Sequence, residues 1–470
     1  MVEVAARWMA DARVQRLLLP AGLLVLAATL VYNLRFGPAR FGMSDFQSFY
    51  SASRALRSGA DPYLPAMAWI NSYQPAGNGG LFGTKVYVYA PFFGFLITPL
   101  TILSQYVALT LWDFLNVGFL VATIYLALDA AGMRVRWAIL IALAAAASLI
   151  QAVHKEWYLG QTDVFILCLI TFSFWVRVRG HKDAAGILLG VACAIKPTMA
   201  LLLFFLLWKR EFRYALLAGV SGALLLFVPF LWLGSETWQH QLTIWKFWSN
   251  QFVAQAHNDS PKGVLTRLFT ANPVVRPIVV APGLVTALWV LFVAAVGLSA
   301  AAVVSARPIK RDVLTLLELG LALEAVFLVS PLTEWPYLLM LIVPLIGCVA
   351  WIVSAYKDGM RDRLIKPAVA AVAIWVALIG PAGFVEYRVV DHWNRPGLSA
   401  DALVILAPIY LYVLVAAFLL QLVLIARVRK IRVADSLAGM PRTLPSITAE
   451  FAHDAWSALP SVITRTARIG

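Results

Sequence analysis

The sequence predicts an all-α polytopic membrane protein, and three observations carry that prediction. Hydrophobic residues make up 61% of the chain and charged residues only 13%, with a mean hydropathy of +0.80, outside the range of soluble globular domains. Many apolar runs approach the ~20 residues that a helix needs to cross a bilayer core. These runs do not alternate apolar and polar residues as the strands of a membrane barrel do.

Spans are expected at about 17–34, 106–129, 137–153, 163–177, 184–195, 197–207, 214–233, 284–304, 313–330, 337–353, 367–384 and 402–425, roughly twelve in all. The first lacks a small-residue cleavage site and reads as a retained span rather than a signal. The net charge of +14 does not form a nucleic-acid surface. It is broken into short clusters between apolar runs, such as Arg134 with Arg136, Lys209 with Arg210 and Arg213, and Arg307 with Lys310 and Arg311. Clusters on alternate loops place both termini in the cytoplasm. Cys168, Cys193 and Cys348 lie inside apolar runs without metal-ligand spacing and read as free core thiols.

The organisation follows from these spans. Residues 1–34 are the N-terminus and first span, and 35–105 an outer loop with interfacial helices and a re-entrant hairpin. Residues 106–233 form a membrane module, 234–283 a second outer loop, 284–425 the C-terminal membrane helices and 426–470 a cytoplasmic tail. In the first loop, Ser44 and Gln47 fit a capping box, so a helix starts at Asp45. Phe46, Phe49, Tyr50 and Ser53 share one face of it, as in a helix lying on the membrane surface. Gly59, Ala60, Asp61 and Pro62 end it. The apolar run 86–103 contains Pro91 and Pro99 and is too short to cross comfortably, which favours a hairpin on the outer face.

A second hairpin is expected at GILLGVACAIKPTMALLLFFLLWKR, where basic clusters lie at both ends and Lys196-Pro197 in the middle. Proline breaks the helix there and lifts Lys196 towards an outer cavity. An ammonium in that position calls for water or an anion beside it; the plainer reading is a snorkelling side chain. Three further outer patches carry polar groups: YLGQTDVF with Gln161, AHNDSP with His257, Asn258 and Ser260, and SPLTEWPY with Glu334, which either caps a helix or pairs with Lys196. For Asp45 two readings stand together. A first-turn aspartate favourably meets the helix dipole, and a carboxylate beside a lysine suits a general base. Periodicity alone favours the dipole.

The order of these motifs resembles the GT-C glycosyltransferases and, within them, glycosyltransferase family 87, whose members use polyprenyl-phosphate sugars. The resemblance runs through FYSASRALRSGADPY, VYAPFFGFLITPL, YLGQTDVFIL, the Lys196 stretch, HNDSPKGVLTRLF and SPLTEWPYLLMLIVPLI, and thins after about residue 345. It implies a GT-C fold in a bacterial inner membrane with the active site on the outer face. It also implies an inverting transfer of a sugar, mannose or a pentofuranose, from a polyprenyl-phosphate donor to a glycan or glycolipid acceptor. Asp45 becomes the catalytic base; Lys196, with Lys85 or Arg54, becomes the partner of the donor phosphate. Tyr89, Gln161, His257, Asn258, Ser260 and Glu334 are the substrate-binding candidates, and no metal or other cofactor is expected. Family members commonly carry histidine after the acid of the last patch, whereas this chain reads Glu334-Trp335-Pro336-Tyr337; either His257 serves instead or the acceptor differs. A transporter or flippase of lipid-linked sugar, or an inactive scaffold subunit, would share the cavity and the lysine. A transporter, however, is expected to repeat its broken helix in a second half, and no second broken pair is evident.

Overall fold

The computed structural model describes residues 11–36, 45–72, 86–255, 258–272, 277–360, 363–380, 408–431, 445–447 and 449–450. The described residues form an all-α polytopic membrane protein. Their extended pairing is confined to a single antiparallel bridge between Asn258 and Glu334.

The helices, in order, are α1 (Ala12–Phe36), α2 (Asp45–Arg57), α3 (Leu64–Ser72), α4 (Pro91–Ile97), α5 (Gln105–Ala130), α6 (Trp137–Ser148), α7 (Gln151–Leu159), α8 (Asp163–Val178), α9 (Lys182–Ile195), α10 (Leu202–Trp208) and α11 (Phe212–Phe227), which the short helix Phe230–Leu233 continues. They continue with α12 (Ser235–Gln251), α13 (Pro261–Phe269), α14 (Pro282–Val303), α15 (Val313–Val329), α16 (Ile342–Lys357), α17 (Ile365–Ile379) and α18 (Ile409–Arg429). Among the described residues six helical stretches are long and apolar enough to cross a membrane: Ala12–Phe36, Gln105–Ala130, Phe212–Leu233, Pro282–Val303, Pro336–Lys357 and Ile409–Arg429.

The expected span at 137–153 is instead two helices, α6 and α7, meeting at 78°. The apolar α6 ends where Gln151, His154, Lys155 and Glu156 begin a polar segment. Ile150 adopts extended backbone there, so the polar stretch leaves the axis of α6 instead of continuing it. The run 86–103 is an extended segment followed by α4 and the 3₁₀ helix Thr98–Ile102. Together the two helices are far shorter than a crossing requires.

Lys196 has extended backbone, the conformation favoured before proline. The 3₁₀ helix Pro197–Leu201 and then α10 follow it, so the helix breaks at the expected point. Glycines let α9 lie against α11 at backbone distance. A Cβ at Gly190 would sit 1.9 Å from Ser221 Oγ, and one at Gly186 2.6 Å from Leu217 Cβ.

The core centres on α15, from Leu316 to Leu328 buried at nearly every position. At one end of α8, Arg177 donates to both carboxylate oxygens of Glu211. Nearby, Asp129 accepts from Trp175, Arg179 and Arg311. At the other end of α8 lies Asp163, where the candidate site is built. The three cysteines form no disulfide.

Candidate active site

Asp45 is the first residue of α2; Ser44, expected to cap it, lies outside the described residues. Phe46, Phe49, Tyr50 and Ser53 are all buried, so the face read from periodicity is real. It packs on protein, however, and not on the bilayer surface. Phe49 meets Tyr89 and Phe93 edge-on at ring separations of 5.0 and 5.2 Å, and Phe46 approaches Trp112. The Tyr50 hydroxyl donates to Leu103 O at 2.7 Å. The folded-over run 86–103 supplies the platform that lipid was expected to supply.

The carboxylate of Asp45 is held from the junction of α7 and α8. Gly160 ends α7 in the left-handed region at φ 66°. A Cβ there would lie 2.7 Å from Phe46 Cβ, so glycine is what allows this junction to touch α2. Gln161 follows. Its Nε2 donates to Asp45 Oδ2 at 2.5 Å, its Oε1 accepts from the Tyr89 hydroxyl at 3.4 Å, and its backbone O accepts from Trp112 Nε1 at 3.0 Å. The Tyr89 hydroxyl also lies 3.1 Å from Thr162 Oγ1. Burial pushes the Asp45 carboxyl up to about 6; the Gln161 hydrogen bond and the Lys155 charge pull it down, and Asp163 pushes it up. Burial likewise holds Tyr89 well above the ordinary phenol range, so its hydroxyl keeps its proton.

Two residues beyond Gln161, Asp163 opens α8 and pairs with Lys196: Oδ1 to Nζ is 2.5 Å. The ammonium also sits 3.1 Å from the centroid of the Tyr337 ring, a cation–π contact. Glu156 is fully buried, and its Oε1 accepts from Val164 N at 3.1 Å. The structure therefore gathers Asp45, Tyr89, Gln161, Asp163, Lys196 and Tyr337 into one constellation from five separate stretches of chain. Among the described residues, no three His, Cys, Asp or Glu side chains converge as metal ligands do.

Of the remaining sequence candidates, Glu334 stands at the edge of this constellation, within electrostatic reach of Tyr337. Lys85 and His257 lie outside the described residues. Arg54 is on the exposed face of α2, away from Phe46 and Phe49. The Asn258 side chain donates to Val253 O and Pro331 O and accepts from Ser260 N and Thr333 N. Ser260 donates to Pro331 O and caps α13 through Gly263 N. These two residues tie the second loop to the 330–334 patch with their polar atoms engaged in protein contacts. Glu334 precedes the 3₁₀ helix Trp335–Leu341 without capping it through its side chain, and Asp163 holds the ion-pair position beside Lys196 that Glu334 was a candidate to fill.

The sequence reading passed over Asp163 and Tyr337. Both stand inside quoted motifs, but an aspartate opening a helix and an aromatic in an apolar run look structural until Lys196 is brought beside them.

The profile of glycosyltransferase family 87 matches residues 87–331, just over half of the chain. Tyr89, Gln161, Asp163 and Lys196 fall within the match; Asp45 and Tyr337 lie outside it. Over 195 residues the chain is 26% identical to a polyprenol-phosphate-mannose-dependent alpha-(1-2)-phosphatidylinositol mannoside mannosyltransferase of Mycobacterium tuberculosis. That alignment covers 38% of this chain and 45% of the relative, so the chain spans less than half the length of the curated protein it matches. No solved structure matches. With a profile match over more than half its length, enclosing four residues of the constellation, the chain is a member of glycosyltransferase family 87.

Proposed function

We propose that this protein transfers a sugar from a polyprenyl-phosphate donor to a glycan or glycolipid acceptor, with inversion at the anomeric carbon and Asp45 as general base. The observation that carries the reading is the juxtaposition of a raised carboxyl at Asp45 with the Lys196 ammonium at the same junction. The name of the mycobacterial relative supports a polyprenol-phosphate donor with mannose as the first sugar to try; a pentofuranose is the second.

In this reading the acceptor hydroxyl gives its proton to Asp45 and forms a bond to the anomeric carbon. The bond from that carbon to the phosphate oxygen breaks, and the polyprenyl phosphate leaves with the electron pair. A β-linked donor gives an α-linked product. Lys196 meets the charge that develops on the leaving phosphate; it would be shared between that phosphate and Asp163, which holds the ammonium in place beforehand. Gln161 orients the base, and the protonated Tyr89 hydroxyl supplies a neutral donor near the sugar. A lysine serving the phosphate makes a resident metal unnecessary, so activity is expected to survive a chelator. The site faces outward from a bacterial inner membrane, with both termini cytoplasmic, as the basic clusters favour.

The test is transfer from a panel of radiolabelled polyprenyl-phosphate sugars to total lipid extract, with wild type and Asp45→Asn side by side. Transfer by wild type and its loss in the variant support both reaction and base. Lipid-linked sugar that binds but is never transferred, and instead crosses the membrane at equal rates in both proteins, would move the assignment to a transporter.

A further inference from the structure

At the end of the bundle opposite Asp45, a second polar site is present that the transfer reaction does not use. α8 fixes the separation: Asp163 is its first residue and Arg177 lies in its last turn, ~20 Å apart along the axis. Near the Arg177 end, the link between α14 and α15 closes over a cavity of about 340 Å³, within the size range of small-ligand sites. Lys209, Arg307, Lys310 and Arg429 line it from three parts of the chain, together with Asp312 and Glu318.

The charges in this cavity do not cancel. Glu318 is taken by protein: Oε2 accepts from Lys209 Nζ at 2.5 Å, and Oε1 from Ser305 N at 2.6 Å. Asp312 accepts from Thr315 N at 2.7 Å and caps α15. Asp129 and Glu211, carboxylates at the same end of the bundle, hold Arg179, Arg311 and Arg177. Arg429 spends one N–H on Val303 O and lies within electrostatic reach of both the Glu318 carboxylate and the Arg307 guanidinium. Neither Arg307 nor Lys310 has a carboxylate within ion-pair distance among the described residues. Counted against Asp312 and Glu318, the four cations leave the cavity with two positive charges in excess, which an anion seated there would offset. The capped N-terminus of α15 adds the positive end of a helix dipole.

We propose that this cavity binds a phosphate group. For a membrane protein the ready source is the headgroup of an anionic phospholipid, since basic pockets between the ends of spanning helices collect such headgroups. A soluble phosphate ester offers the same chemistry, and the two sources are separable by experiment. The proposal is independent of the assignment of Asp45.

The test uses the full chain purified in neutral detergent. Phosphatidylglycerol retained per chain is read by native mass spectrometry, and inorganic phosphate and glycerol 3-phosphate binding by phosphorus NMR. The variants are Arg307→Gln with Lys310→Gln, both exposed, and Arg427→Gln at the same end but outside the cavity. Phosphatidylglycerol retention reduced about tenfold in the double variant, unchanged in Arg427→Gln and not displaced by inorganic phosphate, supports the lipid source. Saturable binding of glycerol 3-phosphate or inorganic phosphate that depends on Arg307 and Lys310 supports the soluble one. No phosphate probe responding to the double variant, or an equal loss in Arg427→Gln, would overturn the site. Melting temperatures of all three proteins establish that the comparison is between folded chains.

Discussion

Gln161 Nε2 donates to Asp45 Oδ2 at 2.5 Å, so a side chain from the α7–α8 junction fixes the carboxylate on α2. The bond works against burial. Desolvation raises the Asp45 carboxyl to about 6 and Gln161 lowers it. A base must be ionised to accept a proton, so activity in wild type should fall about tenfold per pH unit below an acid limb near 6. Gln161→Ala removes a bond that favours the charged form and should move that limb to higher pH. A limb that stayed in place while the plateau dropped would mean that Gln161 contacts substrate instead of tuning the base.

The same raised carboxyl carries a stability consequence. The folded state binds its proton more tightly than the unfolded chain, whose reference value is 3.8. Stability therefore falls as pH rises between that value and about 6, and the full penalty stands above it. Asp45→Asn keeps an oxygen to accept from Gln161 but never ionises. The variant should melt higher than wild type at neutral pH, by a stabilisation of roughly 1–2 kcal/mol, with the gain vanishing near pH 4. At the same time turnover should drop by about 10²–10⁴. A variant that loses both activity and stability at neutral pH would contradict this account of the base.

Asp163 and Lys196 form a buried pair, and removing either partner strands the other. Asp163→Asn or Lys196→Met alone should each cost roughly 3–5 kcal/mol, while the double variant should cost less than the sum. Thermal melting of the four proteins reads this directly. Additive losses would mean that the two side chains do not support each other.

How much of this was legible in the sequence depends on what each residue had to meet. Apolar runs fixed most helices because a span is dictated by its own composition, and the break at Lys196-Pro197 followed from a local steric rule. The buried face of α2 was readable from period, but not what would cover it. That cover, the 86–103 platform, is a tertiary partner that periodicity cannot name. The bend between α6 and α7 was missed because the apolar run seemed to continue as far as 153, although Gln151 and the charged residues after it marked the change. Asp163 was hidden for a related reason: its partner stands 33 positions away, and only folding brings the two together. Asn258 and Ser260 looked like ligands because polar clusters in outer loops invite that reading, yet the folded chain itself takes up their hydrogen bonds.

Gly160 offers the last test, because it separates backbone strain from packing. Gly59 and Gly160 both have positive φ, at 73° and 66°. A Cβ at Gly59 would meet nothing within 4 Å, whereas one at Gly160 would press on Phe46 Cβ at 2.7 Å and Leu109 Cδ1 at 3.0 Å. Alanine at either position bears the left-handed backbone cost of roughly 1 kcal/mol. At Gly160 it also pushes on the residue next to Asp45 and shifts the carboxylate away from Gln161. Gly160→Ala should reduce turnover about tenfold or more, since small displacements of reacting groups are costly, while Gly59→Ala should leave turnover within about twofold. Comparing kcat with melting temperature for the two variants decides it. A larger loss of turnover in Gly160→Ala, measured at a temperature where both variants are fully folded, identifies Gly160 as a positioning residue; equal turnover in the two folded variants would reduce its role to strain and packing.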